Sequence, residues 1–103
     1  MRDPQVLAEV KGILSRLAML APGHSVEVRV PPYSAIQCIA GPKHTRGTPP
    51  NVVELNYETL TALINGSLDW QSGISSGAIH ASGEKSDLSL LFAELAQTIS
   101  TGE

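Results

Sequence analysis

Aromatic residues and cysteine are scarce in this sequence. Phe, Trp and Tyr together make up 4% of the 103 residues, and Cys38 is the single cysteine. One cysteine excludes an intrachain disulfide and a thiol-rich metal site, which fits a reducing compartment. Because rings are few, the core must consist mainly of Leu, Ile, Val and Ala. Such side chains make an internal apolar cavity easier to keep open than a core filled by rings.

The sequence also lacks an excess of positive charge and a long apolar run. Its formal net charge is −3, whereas nucleic-acid affinity comes mainly from cations that neutralise phosphates. We therefore expect no nucleic-acid partner. The N-terminus, MRDPQ, has an acid and a proline where a signal peptide would continue into an apolar stretch, and no apolar stretch approaches the length that spans a bilayer. These features predict a cytoplasmic chain.

Length and composition predict one domain, residues 1–103. Apolar residues make up 42% of the chain, an ordinary share for a globular protein. A chain of this size forms one core and buries roughly 60 to 65% of the surface that its unfolded form exposes. The sequence contains no internal repeat, low-complexity tract or linker.

The beginning of the chain predicts one helix. Asp3 can accept hydrogen bonds from the free amides of the first turn, and Pro4 at the first helical position needs no partner. The helix is expected to run to about Leu20 and to pack on a sheet. Its broad apolar face consists of Val6, Leu7, Val10, Ile13, Leu14 and Leu17.

Two strands are predicted next. Residues 25–30 alternate between Val and charged side chains, which is typical of a strand with one wet face. Residues 35–40 carry apolar side chains on both sides, so we expect this strand to be central in the sheet. Residues 41–50 follow as a loop, because they are rich in glycine and proline and show no apolar periodicity.

In residues 52–92 the predicted helices and strands are joined by very short connections. Val53 and Leu55 alternate with polar residues, as they do in a half-buried strand. A helix is then predicted from the N-cap Asn56 to Gly66, since glycine can adopt the left-handed conformation that ends a helix.

Two further helices and a short strand complete this region. Ser67 or Asp69 can cap a helix that ends near Gly77. A brief strand over residues 78–82 follows, and Ser86 is predicted to cap the last helix. The apolar stripe of that helix has amphipathic spacing and consists of Leu88, Leu91, Phe92 and Leu95.

This order and spacing resemble the sterol carrier protein type 2 family of small lipid-carrier domains. The family pattern is a helix ending in Leu-x-x-Gly-x-Leu, followed by Gly-x-Ile/Leu-x-x-x-Gly. It is matched here by Leu63, Gly66, Leu68, Gly77, Ile79 and Gly83. The segment GPKHTRGTPPNVVE, residues 41–54, is a more specific motif than this leucine and glycine pattern. It resembles the corresponding segment of the actinobacterial branch described as sterol carrier family proteins. The matched segments lie between residues 41 and 92 and cover about half of the chain.

The resemblance implies an α+β fold with a mixed sheet of four or five strands. One face of this sheet would be covered by an N-terminal helix and three short helices. The family sheet usually has five strands, and its middle strand falls at about residues 41–50. The residues themselves predict four strands and a stiff polar segment at that place.

The resemblance also implies an apolar ligand cavity between the sheet and the helices. By analogy with the family, its lining would be Leu60, Leu63, Ile64, Leu68, Trp70, Ile74, Leu88, Leu91, Phe92 and Leu95. Short helices joined through glycines leave seams that an acyl chain can fill. The alternative interpretation is that the same residues form a filled core.

The polar loop carries a candidate head-group or anion site. Lys43, His44 and Arg46 place three potential donors close together, and nearby glycines let backbone amides approach a phosphate or carboxylate. The alternative interpretation is a solvated loop whose charges pair with Glu27 or Glu54.

Catalysis and metal binding find little support. Cys38 with His44 or His80 has the residue types of a nucleophile and a base, but a cysteine midway along an apolar strand is usually an inert small hydrophobe. These histidines and His24 lack the spacing of metal ligands. We expect no enzymatic activity, no cofactor and no metal.

The expected function is noncatalytic binding or carriage of a lipid, sterol-like or fatty acyl ligand, with transient membrane contact. The oligomeric state is not predicted. A different hypothesis is a closed-core accessory or protein-interaction module. Similar domains form C-terminal parts of mycothiol-dependent maleylpyruvate isomerase-like enzymes and of some acetyltransferases, where they need not carry lipid.

Overall fold

A computed structural model describes residues 3–41 and 51–100, which form four helices and four strands. In chain order these are α1 (Pro4–Leu20), β1 (Val26–Val30), β2 (Ser34–Cys38), β3 (Asn51–Leu55), α2 (Tyr57–Asn65), α3 (Trp70–Ser76), β4 (Ile79–Ser82) and α4 (Ser89–Ser100). The predicted α+β class is thereby confirmed. Residues 42–50 of the predicted loop, where the family pattern places a fifth strand, lie outside the described residues.

Helix α1 forms as its sequence predicts. The Asp3 carboxylate accepts hydrogen bonds from the backbone amides of Gln5 at 2.8 Å and Val6 at 3.4 Å, so it caps the first turn. The helix ends at Leu20. Its buried face packs beside β2 and α4 and consists of Val10, Leu14 and Leu17.

The sheet is mixed and has the order β2-β1-β3-β4. β1 is parallel to β3, whereas β1 with β2 and β3 with β4 are antiparallel. In the register, Val28 lies opposite both Ile36 and Val53, and Val53 lies opposite Ala81. These residues therefore share the inner face, because side chains alternate along a strand.

The prediction that the second strand is central is wrong for the described sheet, where β2 is at an edge. The apolar residue that suggested a second buried face is Ile39, and it lies beyond the end of the strand. Ile39 has a φ of 69°, and its amide donates to the Ala21 carbonyl at 2.7 Å. The chain thus leaves the sheet at Ile39, which packs against the core near the end of α1.

The two faces of the sheet differ in their environment. The inner face is buried beneath the helices, and Val26, Val28 and Val30 are fully buried there. On the outer face, Arg29 lies 3.1 Å from Glu27 and 3.9 Å from Glu54. The sheet therefore has one helical layer, with its charged face turned away from the core.

Local capping explains the boundaries of the two short helices. Asn56 accepts a hydrogen bond from the Thr59 amide at 2.8 Å, and α2 ends at Gly66 with a φ of 84°. Of the two candidate caps for α3, Asp69 is the one used, because its carboxylate accepts from the Ser72 amide at 2.8 Å.

The prediction that Ser86 caps the last helix is wrong. The Ser86 hydroxyl donates to the Gly83 carbonyl at 2.8 Å, so it closes the turn that precedes the helix. The next residue, Asp87, accepts from the Ser89 amide at 3.0 Å. A carboxylate therefore satisfies the first turn of α4. Within the described ranges, we find no helix with the length and apolar character needed to cross a membrane.

Candidate functional site

An open groove with a volume of about 800 Å³ lies between α2, the start of α3 and α4. Ligand-binding pockets commonly span about 300 to 1,000 Å³. We call it the α2–α4 groove. It is lined by Leu63, Ile64, Asn65, Gly66, Leu68, Asp69, Trp70, Gln71, Ser89, Phe92, Ala93, Ala96 and Gln97.

The groove exists because the chain turns sharply after α2. Gly66 adopts the left-handed conformation, and the amides of Ser67 and Leu68 both donate to the Ala62 carbonyl, at 3.0 and 3.2 Å. A new helix then starts after Asp69. Two short helices joined by a tight turn cannot cover α4 along its whole length, so a gap remains against it.

Two aromatic rings line the groove. Trp70 and Phe92 are stacked, with ring centroids 5.7 Å apart and an interplanar angle of 28°. Both residues are nearly buried, at 7% and 3% exposure. The small exposed part of these stacked rings gives the groove a rigid apolar surface. Leu63 and Leu68 add aliphatic surface next to it.

The opposite side of the groove is lined by small side chains of α4. Ser89, Ala93 and Ala96 follow one another at i, i+4 and i+7, which places them on one face of the helix. None of them is large enough to reach across to α2. This stripe is a signal in the sequence that an analysis of apolar periodicity alone overlooks.

Several predicted cavity residues lie at the groove and others do not. Leu63, Ile64, Leu68, Trp70 and Phe92 line it. The remaining ones are Leu60, Ile74, Leu88, Leu91 and Leu95. Of these, Leu60, Leu88 and Leu95 are buried in the core, Leu91 packs against that core, and Ile74 lines a separate depression beside β4.

The groove lies within the helical layer, whereas the family analogy implies a cavity between the helices and the sheet. No strand residue of the described ranges is among its lining. The space over the inner sheet face is filled, because Val28, Val53, Leu14, Leu60 and Leu95 meet there with no exposed surface.

Asp69 contributes a negative charge to the groove. The pKa of this carboxyl is held below its ordinary value of 3.8 by hydrogen bonds from Ser72. The larger effect comes from the backbone amide of Ser72 and the smaller one from its side chain. Asp87, just before Ser89, has its pKa lowered in the same way by Ser89. Both carboxylates are therefore ionised at neutral pH.

The candidate nucleophile does not meet a base in the described structure. Cys38 is buried on the inner face, and burial raises the pKa of its thiol to about 11. His80 belongs to β4 and lies opposite Glu54 of β3 on the outer face, with two strands between β4 and β2. His24 lies beside Gln37, with Nδ1 at 2.9 Å from Oε1.

The predicted head-group residues Lys43, His44 and Arg46 lie outside the described residues, and so does a pairing of Cys38 with His44. Among the residues that the structure describes, no group of three or more His, Cys, Asp and Glu side chains could hold a metal ion.

Comparison with known proteins gives two findings. Residues 2–93 match a family model described as bacterial SCP ortholog. A crystal structure of sterol carrier protein 2 like 2 from Aedes aegypti also matches, with 16% identity and a TM-score of 0.46, over 85% of this chain and 94% of that one. No curated protein matches the chain.

Proposed function

This chain belongs to the bacterial SCP ortholog family, and from that premise we propose that it binds and carries a lipid, sterol-like or fatty acyl ligand without catalysing a reaction. The family is one of lipid carriers in general, and the resemblance drawn from the sequence is confirmed at that level. The observation that supports a ligand site in this chain is the α2–α4 groove, which has the stacked rings of Trp70 and Phe92 in its lining.

The chemistry of the groove suits the apolar part of an amphiphile. Each methylene removed from water stabilises a complex by about 0.8 kcal/mol, which is roughly a fourfold gain in affinity. Eight methylenes therefore contribute about 6 kcal/mol before the loss of translational and rotational freedom is subtracted. Affinity should rise with chain length until the groove is filled and then level off.

A closed-core interaction module is the second candidate. It is favoured by the filled space between sheet and helices and by the large exposed side chain of Leu90 on α4, which is 86% exposed. Under this hypothesis the groove would be a surface feature that no lipid occupies.

Native mass spectrometry of the purified chain separates the two candidates. A carrier should show a bound amphiphile, or should take one up from a homologous series of single-chain alcohols, with affinity rising along the series. A bare mass or an oligomer, with no uptake, would support the interaction module. Trp70 is the single tryptophan, so its fluorescence reports binding in the groove directly.

A groove-filling variant tests whether binding occurs at this place. Ala93 lines the groove and is exposed, so Ala93→Phe should place a ring in the groove and obstruct it without disturbing the core. Ala8 is an exposed alanine on α1, away from the groove, and Ala8→Phe is the matched control. Loss of uptake in the first variant alone is expected. Equal uptake by both variants would contradict binding in the groove.

The head-group site on the loop remains a prediction. If Lys43, His44 and Arg46 bind an anionic head group, replacing Lys43 and Arg46 together by alanine should weaken an anionic lipid more than a neutral one. An equal loss of affinity for both lipids would contradict this prediction. We further propose that the protein acts in the cytoplasm and touches membranes transiently when it exchanges ligand.

A further inference from the structure

We propose that the α2–α4 groove discriminates against anionic amphiphiles, so that it binds a long-chain amine most tightly, the matching alcohol next and the matching acid least, with Asp69 as the residue that sets this order. The inference rests on the proposed function, since it concerns the ligand of the same groove.

The first argument is the charge of the lining. Asp69 is the one ionisable side chain among the described residues that line the groove, and no lysine, arginine or histidine is among them. A carboxylate ligand in the groove would therefore meet a like charge without a compensating cation. An ammonium group would meet an opposite charge, and a hydroxyl would be neutral in this respect.

The second argument concerns helix N-termini, which ordinarily attract anions through their free amides. Two of them border the groove, at the start of α3 and the start of α4. Both already hold a protein carboxylate, since Asp69 accepts from the Ser72 amide at 2.8 Å and Asp87 accepts from the Ser89 amide at 3.0 Å. An incoming acid finds these amide positions occupied.

The third argument concerns the partial charge at the C-terminal end of α2. Its last residue, Asn65, and its cap, Gly66, both line the groove. The C-terminal end of a helix carries a partial negative charge from its last carbonyl groups. This end of α2 adds to the field of Asp69, because both have the same sign and both belong to the lining.

The experiment compares dodecylamine, dodecanol and tridecanoic acid, which share a dodecyl chain, at neutral pH, each kept below its aggregation limit, with Trp70 fluorescence as the readout. The chains are identical, so differences in affinity report the polar end. We expect the acid to bind about three- to tenfold more weakly than the alcohol, the range of one exposed charge interaction at close distance. Added salt should reduce the difference.

Asp69→Asn tests the assigned residue while it keeps the fold. Asparagine caps a helix about as well as aspartate, so α3 should remain intact. In this variant the acid should gain affinity relative to the alcohol, and the amine should lose affinity relative to the alcohol. Asp3→Asn is the matched control, because Asp3 caps α1 in the same way and does not line the groove.

Each result separates this inference from the function on which it rests. If the acid binds as tightly as the alcohol, or if Asp69→Asn leaves the order unchanged, the charge inference is overturned and the carrier function stands. An acid that binds more tightly than the alcohol is the order that the loop prediction expects, and it also overturns the inference. If none of the three amphiphiles binds, both proposals fail.

Discussion

At the scale of single residues, Cys38 illustrates how an environment removes reactivity. It is fully buried on the inner face of β2, and desolvation raises the pKa of its thiol to about 11. Thiol reactions proceed through the thiolate, so at neutral pH this side chain is almost entirely in its unreactive form. Cys38 therefore behaves as a small apolar residue of the core.

A thiol reagent such as Ellman's reagent checks this directly. At mildly alkaline pH, the native protein should react at least about a hundredfold more slowly than the unfolded chain, because a pKa two units higher lowers the thiolate fraction by that factor. Reaction in denaturant should release one equivalent per chain. A rapid reaction of the native protein would contradict the buried placement and would reopen the question of catalysis.

Asn51 is the second residue whose chemistry depends on its surroundings. It is buried at the start of β3. Its side-chain Nδ2 donates to the Ser25 backbone carbonyl at 2.9 Å, and its side-chain Oδ1 accepts from the Lys85 backbone amide at 2.9 Å. It thereby joins the start of β1 to the turn before α4.

Replacing Asn51 by alanine leaves these two backbone groups without their side-chain partner. We expect the free energy of unfolding to fall by about 2 to 4 kcal/mol, since the unsatisfied buried Ser25 carbonyl costs about 1 to 3 kcal/mol and the Lys85 amide, which is only partly buried, costs less. Urea denaturation measures the change. The control is Asn65→Ala, because Asn65 is exposed and water can replace its bond to the Ser67 amide. Similar losses in both variants would argue against a buried bridge.

At the scale of elements, α3 is held against β4 by a close contact that requires glycine. Gly73 is buried, and a Cβ at its position would clash with Cδ1 of Ile79 and lie 2.8 Å from Cγ1. Gly12, in the middle of α1, has nothing within 4 Å of the same position. The two helical glycines therefore differ only in what surrounds them.

We expect Gly73→Ala to destabilise the protein by about 1 kcal/mol, because overpacking of about 1 to 3 kcal/mol outweighs a gain of about 1 kcal/mol in helix propensity. Gly12→Ala has the gain without the clash and should stabilise by up to about 1 kcal/mol. Thermal unfolding distinguishes the two. In an Ile79→Ala background, Gly73→Ala should no longer destabilise, and persistence of the penalty there would mean that Ile79 is not its cause.

At the scale of the whole molecule, the described helices and strands share one apolar core. The buried residues form a single cluster that includes Leu14 of α1, Val28 of β1, Leu95 of α4 and Trp70 of α3. When one of these elements unfolds, the apolar surface that the others bury against it becomes exposed as well. We therefore expect one cooperative transition for the described part of the chain.

Leu14→Ala should lower the free energy of unfolding by about 2 to 5 kcal/mol, the range for a fully buried leucine. Far-UV circular dichroism and Trp70 fluorescence should report coincident transitions in the variant, although Trp70 belongs to another helix. Met19→Ala is the control on the same helix, because Met19 is 80% exposed and should contribute little. Separate transitions would show that α3 unfolds independently of α1.

Local interactions make much of this fold predictable from the amino-acid sequence. The Asp3-Pro4 start of α1, the Asn56 cap and the Gly66 stop of α2 each depend on groups within a few residues of one another. The valines of β1 alternate because the strand itself alternates. Such features depend on backbone geometry and neighbouring side chains, so the sequence by itself determined them, and with them the α+β class.

What only the tertiary structure decided is which apolar residue meets which. Leu60 and Leu63 lie on the same helix with the same chemistry, yet Leu60 has no exposed surface and Leu63 lines the groove. The edge position of β2 and the filled inner face likewise depend on strand order and on the placement of α1 and α4. Periodicity tells which side of an element is apolar, but burial depends on the element that packs against it, and that partner comes from distant parts of the chain.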